Sequence, residues 1–198
     1  MPDETPINVL AVWSSLPTPL RRLLASDILT RTCEGLVDVF LVLYAINVIG
    51  IGAPSYGVLI AVQAVTSIVS YLPAARMADR IGRKPFVIAT FVAFAAFPIA
   101  VVLATDFLTL VLAFGVGGLR EIGEPARKAM IADLVRPSLR ARSVGLYYLI
   151  RSVSIAPAAF IDGVLWSMTP LLPFWTAGAI GAAGVVVFAA MVDERYAS

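Results

Sequence analysis

The sequence contains no histidine and a single cysteine, Cys33. Without histidine there is no imidazole ligand and no imidazole base. One thiol allows neither an internal disulfide nor a cysteine cluster for a metal. Charged residues are only 14% of the 198, whereas a soluble domain carries about a quarter. No nucleophile–base pair and no phosphate-binding glycine loop is present, so the chain does not read as an enzyme and calls for no cofactor. Nucleic acid is not an expected partner. The remainder is apolar: 60% hydrophobic residues and a mean hydropathy of +0.90. That composition predicts an all-α, polytopic integral membrane protein whose first partner is the lipid bilayer.

Met1 to Arg22 opens on Asp3 and Glu4, whereas a secretory signal opens on basic residues. Ile7 to Trp13 is too short to span, and Pro17 and Pro19 break the chain before Arg21 and Arg22, so residues 1–22 read as an interfacial segment or linker. Six apolar stretches then approach the ~20 residues a bilayer requires. They run about Leu23–Ile49, Ser55–Ala74, Phe86–Ala104, Phe107–Ile122 (with the option of extending past Pro125), Val144–Trp166 and Leu172–Val192. Together they make a six-helix domain over 23–192, with 193–198 as a polar tail. Short turns are expected at Gly50–Pro54, Thr105–Asp106 and Ser167–Pro170, and a longer polar loop at Arg127–Ser143.

The basic residues orient this set. Arg21 and Arg22 precede the first stretch. Arg76, Arg80, Arg83 and Lys84 separate the second from the third. Arg127, Lys128, Arg136, Arg140 and Arg142 come after the fourth, and Arg195 is in the tail. The alternate connections contain no Lys or Arg. The positive-inside rule therefore predicts both termini in the cytoplasm of a plasma (inner) membrane protein.

One connection is more than basic. Ala75 to Lys84 reads A-R-M-A-D-R-I-G-R-K. Gly82 permits a tight turn that a Cβ would obstruct, and Pro85 can open the next helix. Ala78, Asp79, Arg80, Gly82, Arg83 and Lys84 match the pattern G-x-L-A-D-R-x-G-R-K of the loop between helices 2 and 3 in transporters of the major facilitator superfamily, which the stretch resembles. Met77 stands for Leu, and Ala75 for the first Gly. Gly118 to Pro137 and Arg140 to Tyr148 are similar to that family's helix 4 with its following loop and to the start of its helix 5. The spacing Arg120 to Gly123 is one residue shorter than the family's R-x-x-x-G, and most helix-5 glycines are missing around Pro157, so an antiporter assignment is not supported. The resemblance extends over about Arg21 to Val192. It implies a transporter half, with Asp79 helping to hold the cytoplasmic side closed.

The charges inside the spans carry the chemistry. Asp27, Arg31, Glu34 and Asp38 are spaced 4, 3 and 4 apart, which puts them on one face of a helix. Asp27 has the option of the interface; Glu34 and Asp38 cannot both take it. The fourth stretch holds Arg120, Glu121 and Glu124, and the fifth Arg151 and Asp162, about 16 Å apart along a continuous helix. Each charge at the bilayer centre costs about 2.5–3.5 kcal/mol and normally faces a bundle interior or cavity. Salt bridges of Arg31 with Asp27 or Glu34, and of Arg120 with Glu124, would account for part of the set. Six acids facing three arginines leave an excess for protons or a ligand. Arg31, Glu34, Asp38, Arg120, Glu121, Glu124, Arg151 and Asp162 are thus the expected substrate and ion pathway.

Polarity also repeats. Charged, neutral-polar and uncharged spans succeed one another in that order, and the fourth to sixth spans repeat the decline. This is a hydropathy pattern of three helices occurring twice, as in each half of the family. A whole transporter of that family has two halves, so this chain is expected to pair with a second six-helix half, its own copy or another chain, or else to be a fragment of a twelve-helix transporter. The approach L-P-T-P-L-R-R, Leu16–Arg22, resembles the linker into a second half. The expected function is proton-coupled secondary transport of a small solute; the alternative is a non-transporting scaffold or regulatory protein.

Overall fold

Prolines and glycines decide where the helices start and stop. A computed structural model describes residues 16–135, 137 and 140–192. Over these the chain forms α1 (Thr18–Gly35), a turn at 36–40, α2 (Leu41–Leu43) with a π-turn (Tyr44–Val48), α3 (Ala53–Ile81), α4 (Lys84–Leu103), α5 (Phe107–Gly118) with a 3-10 turn (Leu119–Glu121), α6 (Glu124–Asp133), α7 (Arg140–Ile155), α8 (Ala158–Met168) and α9 (Leu172–Met191). Proline lies in the first turn of α1, α3, α4, α6 and α9, where its missing N–H would have no partner anyway. Asp106 caps α5: its carboxylate accepts from the Thr109 amide at 2.8 Å, and the Asp106 amide donates back to the Thr109 hydroxyl. The Thr109 amide and hydroxyl hold the Asp106 carboxyl below its ordinary range.

Four segments are long and apolar enough to cross a membrane: Ala53–Ile81, Lys84–Leu103, Arg140–Met168 and Leu172–Met191. The other two runs, α1 to the π-turn and α5 to α6, are broken, and they hold most of the intramembrane charge. Several expected boundaries move. The first run starts at Thr18, with Pro19 inside its first turn, and it is not one helix; it breaks after Gly35, where a Cβ would come within 3.1 Å of the Ala158 side chain. The segment expected as a ten-residue loop is mostly the end of α3, which continues through Ala78, Asp79 and Arg80 to Ile81. Ala, Arg and Met are strong helix formers, so the helix outlasts the apolar stretch. Arg127 to Asp133, expected in a polar loop, belong to α6. The fifth run begins at Arg140 and breaks at Pro157, which lacks the amide that an i→i−4 bond needs; Pro73 and Pro98 are tolerated inside α3 and α4. Residues 1–15 of the expected N-terminal segment, Arg136 and the tail 193–198 lie outside the described residues.

Helix α9 sits between α1 and α4; α4 also meets α5, α5 meets α3, and α1 meets α7. Small residues make these contacts close. A Cβ on Gly178 would lie 2.4 Å from Ile99, on Gly181 2.9 Å from the Ala95 backbone, and on Gly184 2.6 Å from the Thr30 hydroxyl. In lipid, helices associate through such packing rather than through water exclusion. Gly181→Leu should therefore separate α9 from α4 and lower the thermal midpoint in detergent by several degrees. A midpoint equal to that of the parent would show that this contact is not needed.

Candidate functional site

The site is a chain of alternating charges built from α1, α5 and α6. Helix α1 presents Asp27, Arg31 and Glu34 on one face, and Asp38 comes next in the 36–40 turn. Asp27 is wholly buried. Its Oδ2 accepts from Arg127 at 2.6 Å, from the Tyr147 hydroxyl at 2.9 Å and from Arg151 at 3.4 Å. Arg127, on α6, also donates from Nε and Nη2 to Glu124 at 3.1 and 2.8 Å. Glu124 in turn accepts from Arg31, and Arg31 donates to Glu34 at 2.8 Å. Arg120 closes the series, with Nη1 at 3.6 Å from Glu34 and 3.8 Å from Asp38. Its guanidinium lies over the Phe97 ring at 4.5 Å, and that of Arg31 over Phe94 at 4.7 Å. These faces add a favourable cation–π contact to each charge.

The pairing differs from what the spacing suggests. Arg31 takes Glu34 as expected, but its second partner is Glu124 on another helix, not Asp27. Arg120 makes no salt bridge with Glu124 among the described residues. The 3-10 turn at Leu119–Glu121 and Gly123 separate the two, so four residues no longer equal one helical turn. Gly123 itself is pinned. Its amide donates to the Thr90 hydroxyl at 2.6 Å, and a Cβ there would lie 2.2 Å from the Phe86 carbonyl oxygen. Arg127 was the residue missed. It is 2% exposed, and the signal for it was Pro125, which opens a helix and sets Glu124 and Arg127 three apart on one face.

An open cavity of about 360 Å³ runs along this series, lined by Arg31, Glu34, Gly35, Asp38, Arg151 and Ser152 among others. Four of the eight expected pathway residues thus line one space. Arg120 meets Glu34 and Asp38, Glu124 meets Arg31, and Arg151 is held by Asp27. Glu121 is half-buried and Asp162 fully buried; among the described residues neither joins a salt bridge. Arg151 lies over the Tyr148 ring at 4.7 Å, and its Nε has no hydrogen-bond partner among the described residues.

At the other end of α3, the matched motif forms a joint. Ala78 is buried, Asp79 and Arg80 are exposed, and Gly82 takes φ +105°, a region that favours glycine. Arg83 pairs with Asp133 at the end of α6, and Lys84 donates to the Ala189 carbonyl of α9 at 3.2 Å. The joint between α3 and α4 is thereby tied to two other helix ends.

The family model of the Major Facilitator Superfamily matches residues 23–198. The chain belongs to the Major Facilitator Superfamily. Members of this superfamily are transporters, and the apolar helices agree with a membrane protein of that kind. The chain is also similar to an uncharacterised MFS-type transporter of Methanocaldococcus jannaschii, with 26% identity over 104 residues. That match covers 52% of this chain and 26% of the relative, so it spans about a quarter of the relative's length. The charge series joins α1 to α6, and the motif joint lies between α3 and α4.

Proposed function

We propose that this chain serves secondary active transport of a small solute, driven by protons, as one six-helix unit facing a second one. The observation that carries the reading is the cavity with Arg31, Glu34, Asp38 and Arg151 on its wall. Buried charges are costly in a membrane and normally mark a solute or ion path. Six spans in two groups of three are supported by the contacts. Exchanging the first run with the fourth, the second with the fifth and the third with the sixth maps α1·α9 onto α5·α4, and α1·α7 onto α5·α3, while α4·α9 maps onto itself. The opposing unit is supported by the second and fifth runs, which expose Val65, Ile68, Val69 and Leu72 on α3 and Phe160, Val164 and Met168 on α8.

The basic residues support cytoplasmic termini and the plasma membrane. A reporter fused after Ser198 should signal from the cytoplasmic side, and an external signal would overturn that topology. Asp79, exposed at the end of α3 and in no salt bridge among the described residues, is placed to act across to the opposing unit. Asp79→Asn should change cysteine labelling at the cytoplasmic mouth with little effect on folding.

The decisive experiment reconstitutes the full chain in liposomes with an imposed pH gradient and a panel of small solutes. Uptake that collapses with the gradient is the expected result. A non-transporting scaffold is the second reading, favoured by the mutual pairing of Asp27, Arg127, Glu124, Arg31 and Glu34. Assembled protein that moves no solute would establish it.

A further inference from the structure

The charges on the cavity wall are not evenly matched. Asp38 is half exposed, and its one ion-pair partner among the described residues is Arg120 at 3.8 Å, which also faces Glu34 at 3.6 Å. Arg151 is the slackest cation on the same wall. Its one hydrogen bond among the described residues runs from Nη1 to Asp27 at 3.4 Å, and that Oδ2 already accepts from Arg127 at 2.6 Å and from Tyr147 at 2.9 Å. Arg31, by contrast, holds both Glu34 and Glu124. The under-matched acid and the under-matched cation both line the open cavity of about 360 Å³. They lie toward opposite ends of it. Gly35 marks the close contact between α1 and the fifth run, since a Cβ there would come within 3.3 Å of Ile155 and 3.1 Å of Ala158. Arg151 stands one turn before Ile155 and reaches back to Asp27, about two turns before Gly35. Asp38 lies on the far side of Gly35, in the 36–40 turn. Between them the wall offers Gly35, Ile155 and Ala156, which have no polar side-chain atom, beside Arg31 and Glu34, which pair with each other at 2.8 Å.

A simple anion would suit Arg151 and be repelled by Glu34 and Asp38. A simple cation would suit Asp38 and be repelled by Arg31 and Arg151. A neutral solute would displace water from both ends and match neither charge, which is costly. A solute with both charges meets each end with the opposite sign and adds no net charge to the membrane interior. We infer that the solute is dipolar: a small molecule with a carboxylate at one end, an ammonium at the other and an aliphatic segment between them. The carboxylate takes N–H groups of Arg151, whose planar guanidinium can donate two parallel bonds, with the exposed Ser152 alongside on the wall. Tyr148 lies against one face of that guanidinium at 4.7 Å and leaves its edge for the carboxylate. The ammonium lies against Asp38, and the aliphatic segment covers Gly35, Ile155 and Ala156. This solute class rests on the transport reading of the same cavity and narrows it.

The test measures equilibrium binding to the full chain in lipid nanodiscs, with no gradient. Radiolabelled γ-aminobutyrate and ε-aminocaproate are the dipolar probes. Butyrate lacks the ammonium, and n-butylamine has a methyl group in place of the carboxylate. At least one dipolar probe should bind saturably and about tenfold or more tightly than either single-charge compound, as a hydrogen bond to a charged group allows. Asp38→Asn should remove the advantage over butyrate, and Arg151→Gln the advantage over n-butylamine. Should Arg151→Gln fail to fold, Arg151→Lys keeps the charge beside Asp27 and loses the fork; it should weaken the dipolar probe severalfold and leave n-butylamine unchanged. Saturable binding of neither dipolar probe overturns the inference. So does a single-charge compound that binds as tightly, or a folded Asp38→Asn that keeps the full preference. Dipolar binding without gradient-driven uptake leaves the solute class standing and removes the transport reading. Gradient-driven uptake of other solutes, without saturable binding of a dipolar probe, does the reverse.

Discussion

Arg127→Gln is expected to leave little folded protein after extraction into detergent. Arg127 is the hub of the charge series, holding Asp27 with Nη1 and Glu124 with Nε and Nη2. Both acids are nearly or wholly buried. Removing one partner of a buried pair costs about 3–5 kcal/mol, because the opposite charge is left uncompensated. Here two acids each lose a partner, Asp27 keeping Tyr147 and Arg151 and Glu124 keeping Arg31, in a fold whose total margin is of the order of 5–15 kcal/mol. Arg127→Lys should be intermediate, since an ammonium cannot reproduce the fork that bridges two carboxylates. Adding Asp27→Asn to Arg127→Gln should recover part of the loss, as coupled neighbours do. Size-exclusion profiles and thermal midpoints measure this. A single Arg127→Gln variant as monodisperse and as heat-stable as the parent would show that the series is not what holds α1 to α6.

Asp38→Asn should behave in the opposite way, folding normally and failing in transport. Asp38 is the loosest member of the series: its carboxylate lies 3.8 Å from Arg120, and its side chain is 51% exposed. Its loss removes little packing. It does remove a cavity-facing acid, and with it a change of charge that can bias which side opens. Proton-driven uptake should fall to the level of empty liposomes, while exchange without a gradient continues. Glu34→Gln, which takes an acceptor from both Arg31 and Arg120, should impair both modes. If Asp38→Asn and Glu34→Gln each transport with the parent's rate and pH dependence, the acids of the first run are structural.

The apolar helices could be read from the sequence to within a few residues where nothing interrupts them. Expected Phe86–Ala104 became Lys84–Leu103, and expected Leu172–Val192 became Leu172–Met191. Gly82 was also legible, because a two-residue joint between basic helix ends requires a backbone that a Cβ disfavours. The charge series was legible only as a set. Its face on α1 can be read from spacing, but its partners lie up to 124 residues away, and local spacing paired Arg120 with Glu124 across a turn that changes the helical phase. Arg127 was hidden for a related reason. Hydropathy treats an arginine after a proline as the start of a loop, whereas burial by Asp27 and Tyr147 depends on helices that the stretch itself does not encode. The breaks after Gly35 and at Pro157 were missed because the apolar runs continue across them. A run of hydropathy carries no information about backbone phase.

The Asp27–Arg127 pair also constrains how the chain is made. A hundred residues separate the two side chains. While the ribosome is still adding α3, α4 and α5, α1 has emerged with Arg31 and Glu34 able to pair with each other and with Asp27 lacking Arg127. Placed alone in lipid, such a helix faces a penalty of about 2.5–3.5 kcal/mol for each central charge. Full neutralisation of Asp27 therefore waits for α6. In this order of synthesis, the α3–α4 hairpin, whose charges cluster at and beside its short joint, is committed to the bilayer before the helix that precedes it. A nascent chain truncated before Glu124 should leave α1 extractable by alkaline carbonate and α3–α4 resistant.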